Sequence, residues 1–177
     1  MILHELINGC IKGDSICQRE LYDQYYSYSL KTIRAYGNNF EDSREILNDA
    51  FIKVFESIKN YNPDQAFLPW FRSILVRTII NHYHKNKNKM SFTELSLDIL
   101  DQNFIIIPDI ILQMEVEELL ALTASLPPAY RLVLNLYALE GHTHDEIAKL
   151  LRINVGTSKS NLFKARVFLA KLIAKSK

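Results

Sequence analysis

Asp42, Glu45 and Asp49 set three carboxylates within about two helical turns, a density that a divalent cation or an acid–base pair would use. Spacings of three and four spread them over a helix surface, but no neighbouring pair of histidines completes a specific ligand set. His82 with His84 and His142 with His144 lack a zinc pattern and fit surface or capping roles better. Cys10 and Cys17 have no partner cluster of Cys and His and read as small core residues. No serine, cysteine or carboxylate constellation requires catalysis. The chain is therefore expected to be no enzyme, to hold no metal and to need no cofactor.

Two other groupings carry a different chemistry. Tyr61, Phe67, Trp70, Arg72 and Arg77 interleave aromatic faces with cations, and that combination stacks unpaired bases while gripping their phosphates. Trp70, with Ile74 four residues on, is at a spacing more often found in a core than on a base-stacking face. Near the C-terminus, Thr157, Lys159, Ser160, Asn161, Lys164, Arg166 and Lys171 supply donors for phosphates and for base edges. Gly156 leaves the start of that helix free to approach a duplex closely.

The elements that must position these groups are helices throughout. One is expected over 2–12 and a second over 16–36, where Leu21, Tyr25, Tyr28 and Tyr36 form an apolar face that ends at Gly37. A third runs from Glu41 to Ile58 with Ile46, Phe51, Val54, Phe55 and Ile58 on its stripe. NYNPDQ breaks the chain before a fourth from about Leu68 to His84, with Pro69 in its first turn. After Lys85 an acidic, irregular stretch reaches Pro108; its Phe92, Leu95, Leu97, Ile99, Leu100 and the FIII run at 104–107 are too apolar for an inert tether and call for a docking surface. Helices are then expected over 110–124 and 129–139. In HTHDEIAKLLRINVGTSKSNLFKARVFL, Thr143 and Glu146 have capping-box spacing, 152–154 make a break, and Asn154 suits the cap of the following helix. Val155, Ser158, Leu162, Ala165, Leu169 and Leu172 share one face of that helix. A helix-turn-helix fits this stretch, and so does a plain helical hairpin with a solvated basic face.

The formal net charge of +1 hides a partition. Residues 1–90 hold 12 Lys or Arg against 10 Asp or Glu, residues 91–125 hold 0 against 7, and residues 126–177 hold 9 against 3. A basic end section suits an anionic polymer. The first residues lack a basic start followed by an unbroken apolar run, and no later stretch has membrane-spanning length, so a cytoplasmic location without membrane insertion is expected.

LPPAYRLVLNLYALEGHTHDEIAKLLRINVGTSKSNLFKARVFLAKL, residues 126–172, resembles the promoter-reading C-terminal domain of bacterial RNA polymerase sigma factors of the sigma-70 superfamily, particularly the extracytoplasmic-function (ECF) group. DSREILNDAFIKVFESIKNYNPDQAFLPWFRSILVRTIINHYHK, residues 42–85, resembles the partner domain. The resemblance implies an all-α fold of two small helical domains joined by an acidic linker: residues 1–90 for core polymerase and the minus-ten element, linker 91–112, and residues 113–177 as the helix-turn-helix for the minus-thirty-five element. It implies an alternative sigma factor in transcription initiation and its regulation, with polymerase core, promoter DNA and an anti-sigma factor as partners. By the same likeness Asp42, Glu45, Ile46, Asn48, Asp49, Phe51 and Lys53 grip polymerase. Asn60, Tyr61, Phe67, Trp70, Arg72, Arg77, Asn81 and Lys85 meet the opened minus-ten strand. Thr157, Lys159, Ser160, Asn161, Lys164 and Arg166 read the minus-thirty-five duplex. The sequence departs from the pattern at Asn48 and Asp49, one methylene shorter than the usual glutamine and glutamate. Arg152 stands where glycine is common, Ser158 where the stripe is usually apolar, and Asn161 where a base is frequent. A helix-turn-helix regulator acting without polymerase is the alternative.

Overall fold

A computed structural model of the chain describes residues 2–37, 40–86 and 122–175, and all regular structure among them is helical. The elements are α1 (Leu3–Ile11), α2 (Ser15–Ala35), α3 (Phe40–Ser57), a 3-10 turn (Ile58–Asn60), α4 (Phe67–Asn86), α5 (Pro128–Ala138), α6 (His144–Leu151) and α7 (Val155–Lys175). They fall into two compact units, α1–α4 and α5–α7. The acidic linker with its apolar run, and all but the last three residues of the helix expected over 110–124, lie outside the described residues.

Local chemistry sets the helix ends in the first unit. The Ile2 backbone N–H donates to the Glu5 carboxylate (3.2 Å) at the start of α1. Gly13, at φ +79°, turns the chain after it. Asp14 Oδ1 then accepts from the backbone N–H groups of Ile16 (2.8 Å) and Cys17 (3.3 Å), two donors that the start of α2 cannot satisfy itself. The two helices touch closely: a Cβ on Gly9 would stand 2.2 Å from Cys17 Sγ. Both cysteines are free and buried, and burial, the largest cause, pushes the Cys10 thiol up to about 11. These are inert core residues, since the thiolate is the reactive form.

The core of this unit is built around α4, which is buried on most of its circumference. Phe71 and Leu75 are fully enclosed together with Leu6, Leu21, Ile33, Ile46 and Val54. Phe71 meets Tyr25 (5.0 Å between ring centroids), Phe51 (5.5 Å) and Phe67 (5.9 Å), and Tyr22 packs on Phe51 at 4.5 Å. Each such ring contact adds about 0.5–1.5 kcal/mol to simple area burial, so the network ties α2, α3 and α4 together.

In the second unit, Pro128 opens α5 at a position where no intrahelical N–H is lost. Gly141 (φ +72°) turns the chain towards α6. The capping box read from the sequence is formed: Thr143 Oγ1 accepts from the Glu146 N–H (3.3 Å), and the Glu146 carboxylate accepts from the Thr143 N–H (2.8 Å). α6 ends in Arg152, a non-glycine residue at φ 53°, whose N–H reaches the Ala148 carbonyl. The Asn154 carbonyl accepts from the Ser158 N–H (3.0 Å), starting α7. Both α5 and α6 pack on α7, through Leu132, Val133, Leu136, Ile147, Leu151, Leu162 and Ala165. Among the described residues no helix is long and apolar enough to cross a membrane.

Candidate nucleic-acid interface

On α3, Glu45, Asn48, Asp49, Ile52 and Glu56 are exposed along one side, as spacings of three and four require. Ile52 lies 55% exposed inside this polar stripe. Nothing in the sequence grouping singled it out; its place among positions that all turn outward is the signal. Two residues expected at a polymerase surface do not reach one: Ile46 and Phe51 are buried in the core, because the stripe they share points to α4. Lys53 is half-buried and donates to Thr78 Oγ1 of α4 (3.2 Å). Asp42 is half-buried, and one of its oxygens, one of Glu45 and a nitrogen of His82 all lie within 4.8 Å of one another. Lys85 Nζ approaches the Glu45 carboxylate at 3.5 Å, which gives that acid an ordinary cationic neighbour.

The exposed side of α4 is narrow. Trp70, half-buried, is followed along it by Ser73, Arg77, Asn81 and Lys85, all exposed. Trp70 packs on Tyr61 (5.1 Å) and Phe67 (5.4 Å) and leaves part of its ring to solvent. Tyr61 and Phe67, expected as stacking faces, are buried instead. The Tyr61 hydroxyl donates to the Gln65 carbonyl, so these rings brace the Asn60–Phe67 loop from beneath; Asn60 itself is exposed. Arg72 lies on the opposite side of α4 from Arg77. Its guanidinium donates to the Tyr28 hydroxyl (2.7 Å) and sits 5.9 Å from that ring. The structure therefore gathers Trp70, Arg77, Asn81 and Lys85 on one surface and sets Arg72 apart.

On α7, Thr157, Lys159, Ser160 and Arg166 are exposed, and Asn161 and Lys164 half-exposed. Phe163, absent from the sequence grouping, lies among them 52% exposed. Ser158 is fully enclosed, and its hydroxyl is joined to His144 Nδ1 by a hydrogen bond of 2.9 Å. A buried hydroxyl with such a partner costs little, whereas an unsatisfied one costs about 1–3 kcal/mol. Lys164 Nζ stands 5.8 Å from the Tyr130 ring and the Arg166 guanidinium 5.7 Å from the Tyr137 ring, both rings on α5. The surface thus combines a helix start, cationic side chains and small polar groups, the makings of a duplex-reading helix.

Residues 21–89 match the family model Sigma-70 region 2, and residues 116–169 match Sigma-70, region 4. Over 180 residues the chain is 25% identical to the RNA polymerase sigma-H factor of Pseudomonas aeruginosa, covering 96% of this chain and 92% of that protein. Over 135 residues it is 28% identical to the ECF RNA polymerase sigma-E factor of Escherichia coli K12, covering 71% of this chain and 70% of that protein. Among solved structures, CnrH in complex with the cytosolic domain of CnrY is similar in fold, with a TM-score of 0.50 and 17% identity over 97% of each chain.

Proposed function

The chain belongs to the ECF group of the sigma-70 family of RNA polymerase sigma factors, and on that premise we propose how its two units divide the work of directing core polymerase to promoters. The observation that carries the proposal is the order of the two matched regions, 21–89 and 116–169, on two units that each hold a differently equipped polar surface. In the second unit, α7 enters the major groove of the minus-thirty-five element. Lys159, Lys164 and Arg166 hold phosphates, while Ser160 and Asn161 face base edges. In the first unit, the α3 stripe of Glu45, Asn48, Asp49 and Ile52 docks on the polymerase. The α4 surface of Trp70, Arg77, Asn81 and Lys85, with Asn60 in the adjoining loop, receives the opened minus-ten strand.

Magnitudes explain why such a chain needs polymerase. Separating DNA costs about 1.4 kcal/mol per base-pair step on average, and one captured base returns about 1–3 kcal/mol by stacking. A surface with one half-exposed indole and a few polar side chains offsets one or two steps, not a run of them. Strand capture by this unit is therefore a nucleating contact that the polymerase extends. Like other sigma factors the protein is an initiation factor rather than an enzyme. It works where polymerase works, in the cytoplasm, and an anti-sigma protein covering its polymerase and DNA surfaces is its expected inhibitor.

Reconstitution of the full chain with purified core polymerase on a promoter library tests the proposal. Start sites that depend on the chain are the expected result. Failure to bind core, or tight operator binding by the chain alone, would replace it with a helix-turn-helix regulator.

A further inference from the structure

Four side chains from all three helices of the second unit stand in a column. Ser158, fully enclosed on α7, is hydrogen-bonded to His144 Nδ1 at 2.9 Å. The His144 imidazole, at the start of α6, stacks on the Tyr137 ring of α5 with centroids 5.0 Å apart and planes 25° from parallel. The Arg166 guanidinium, back on α7, stands 5.7 Å from the centre of the Tyr137 ring. Tyr137 is 39% exposed, so the column begins in the core and ends at the surface.

We propose that Tyr137 and His144 are positioning residues for promoter recognition, holding the Arg166 guanidinium ready for a DNA phosphate. The inference rests on the assignment of Arg166 to the minus-thirty-five duplex. Its physical basis is that a guanidinium held by the face of an aromatic ring keeps its in-plane N–H donors free. Those donors are what a phosphate takes, two at a time. An unsupported arginine at the surface surrenders rotamer freedom on binding, and a ring beneath it lowers that cost before DNA arrives. The ring needs support in turn. Tyr137 sits in the last turn of α5 with 39% of its surface exposed, and the imidazole stacked on it supplies a wall. Ser158 fixes that imidazole through the hydrogen bond, so a polar residue inside the helix pair acts on the DNA-facing surface. Lys164 above Tyr130 repeats the arrangement one helical heptad earlier on α5.

The probe is a minus-thirty-five duplex selected from a randomised promoter library by the wild-type holoenzyme, and the readout is its dissociation constant with the full chain bound to core polymerase. Tyr137→Leu is expected to weaken binding by about two- to five-fold, the range of an exposed cation–ring contact, and His144→Leu by a smaller factor. Tyr137→Phe keeps the ring and retains wild-type binding. In an Arg166→Ala background, Tyr137→Leu produces no further loss. Arg166→Lys, which keeps the charge but not the planar fork, weakens binding when Tyr137 is present and by a smaller factor beside Tyr137→Leu; this surface variant leaves folding untouched. Losses from Tyr137→Leu and Arg166→Ala that multiply would overturn the positioning role while leaving Arg166 a DNA contact. An Arg166→Ala variant with wild-type affinity would overturn both.

Discussion

Arg152 holds a backbone conformation that L-residues with a Cβ adopt at a cost. Its φ of 53° belongs to the left-handed region, where glycine has no steric penalty and other residues lose on the order of 1 kcal/mol or more. The side chain is exposed, so Arg152→Gly gives up little packing and is expected to stabilise the second unit by about 0.5–1 kcal/mol. Thermal unfolding of the two proteins checks this; an equal or lower midpoint for the glycine variant would show that the loop tolerates the angle without strain. Lys164 and Arg166 act through charge. Replacing both with alanine removes two phosphate contacts, and each contact contributes about one unit to the salt slope of duplex binding. Weaker binding at low salt and a shallower slope are expected. Wild-type affinity across a salt series would remove both residues from the interface.

Helix α6 depends on its first turn. Thr143 and Glu146 exchange hydrogen bonds, and Thr143→Ala should destabilise the unit by about 1 kcal/mol. The Glu146 carboxyl is held below its ordinary value, first by the hydrogen bond from the Thr143 backbone and then by that from the Thr143 hydroxyl, with His142 and Lys149 adding smaller attractions. A carboxylate with a lowered folded pKa stabilises above its unfolded value of about 4.5 and loses that contribution as pH falls through the folded one. The stability gap between wild type and Glu146→Ala is therefore expected to be full well above the unfolded value and to close as pH falls below it. Chemical denaturation across that range measures it; a gap independent of pH would reject the cause. Caps of this kind are local chemistry, which is why the α6 start was legible in the letters at 143–146. So were the helices themselves, from apolar spacing. Burial on several-sided helices was not legible. Phe67 and Tyr61 disappear into the ring network under α4, and Val167 is buried on the side of α7 away from its main apolar stripe. One-stripe reasoning assigns a single inward face to each helix, and it fails wherever more than one neighbour packs against it. The same blindness hid Ile52 and Phe163, apolar letters that packing leaves outside.

At the scale of the whole molecule the question is how two small surfaces become a promoter-specific factor. The charge partition, with 9 cationic against 3 acidic residues over 126–177, puts the electrostatic attraction for DNA in the second unit. The α3 stripe of the first unit is exposed at Glu45, Asn48, Asp49 and Glu56 around Ile52, an apolar group ringed by polar ones. Binding energy at protein interfaces concentrates in such enclosed apolar anchors, with the polar rim excluding water and choosing the partner. Ile52 is thus expected to be the anchor of the polymerase contact. Truncation to alanine removes three carbons, worth about 0.8 kcal/mol each when fully enclosed, so Ile52→Ala should weaken core binding by on the order of ten-fold or more. Ile52→Asp places an unpaired charge in the same enclosure and should nearly abolish binding. Both variants should fold normally, because the residue is 55% exposed and the core beneath it is unchanged. Titration of a labelled chain with core polymerase, alongside thermal unfolding of each variant as an internal control, separates docking from folding: core affinity falls while the unfolding midpoint persists. If Ile52→Asp bound core as tightly as wild type, the polymerase would have to hold the chain elsewhere than on α3.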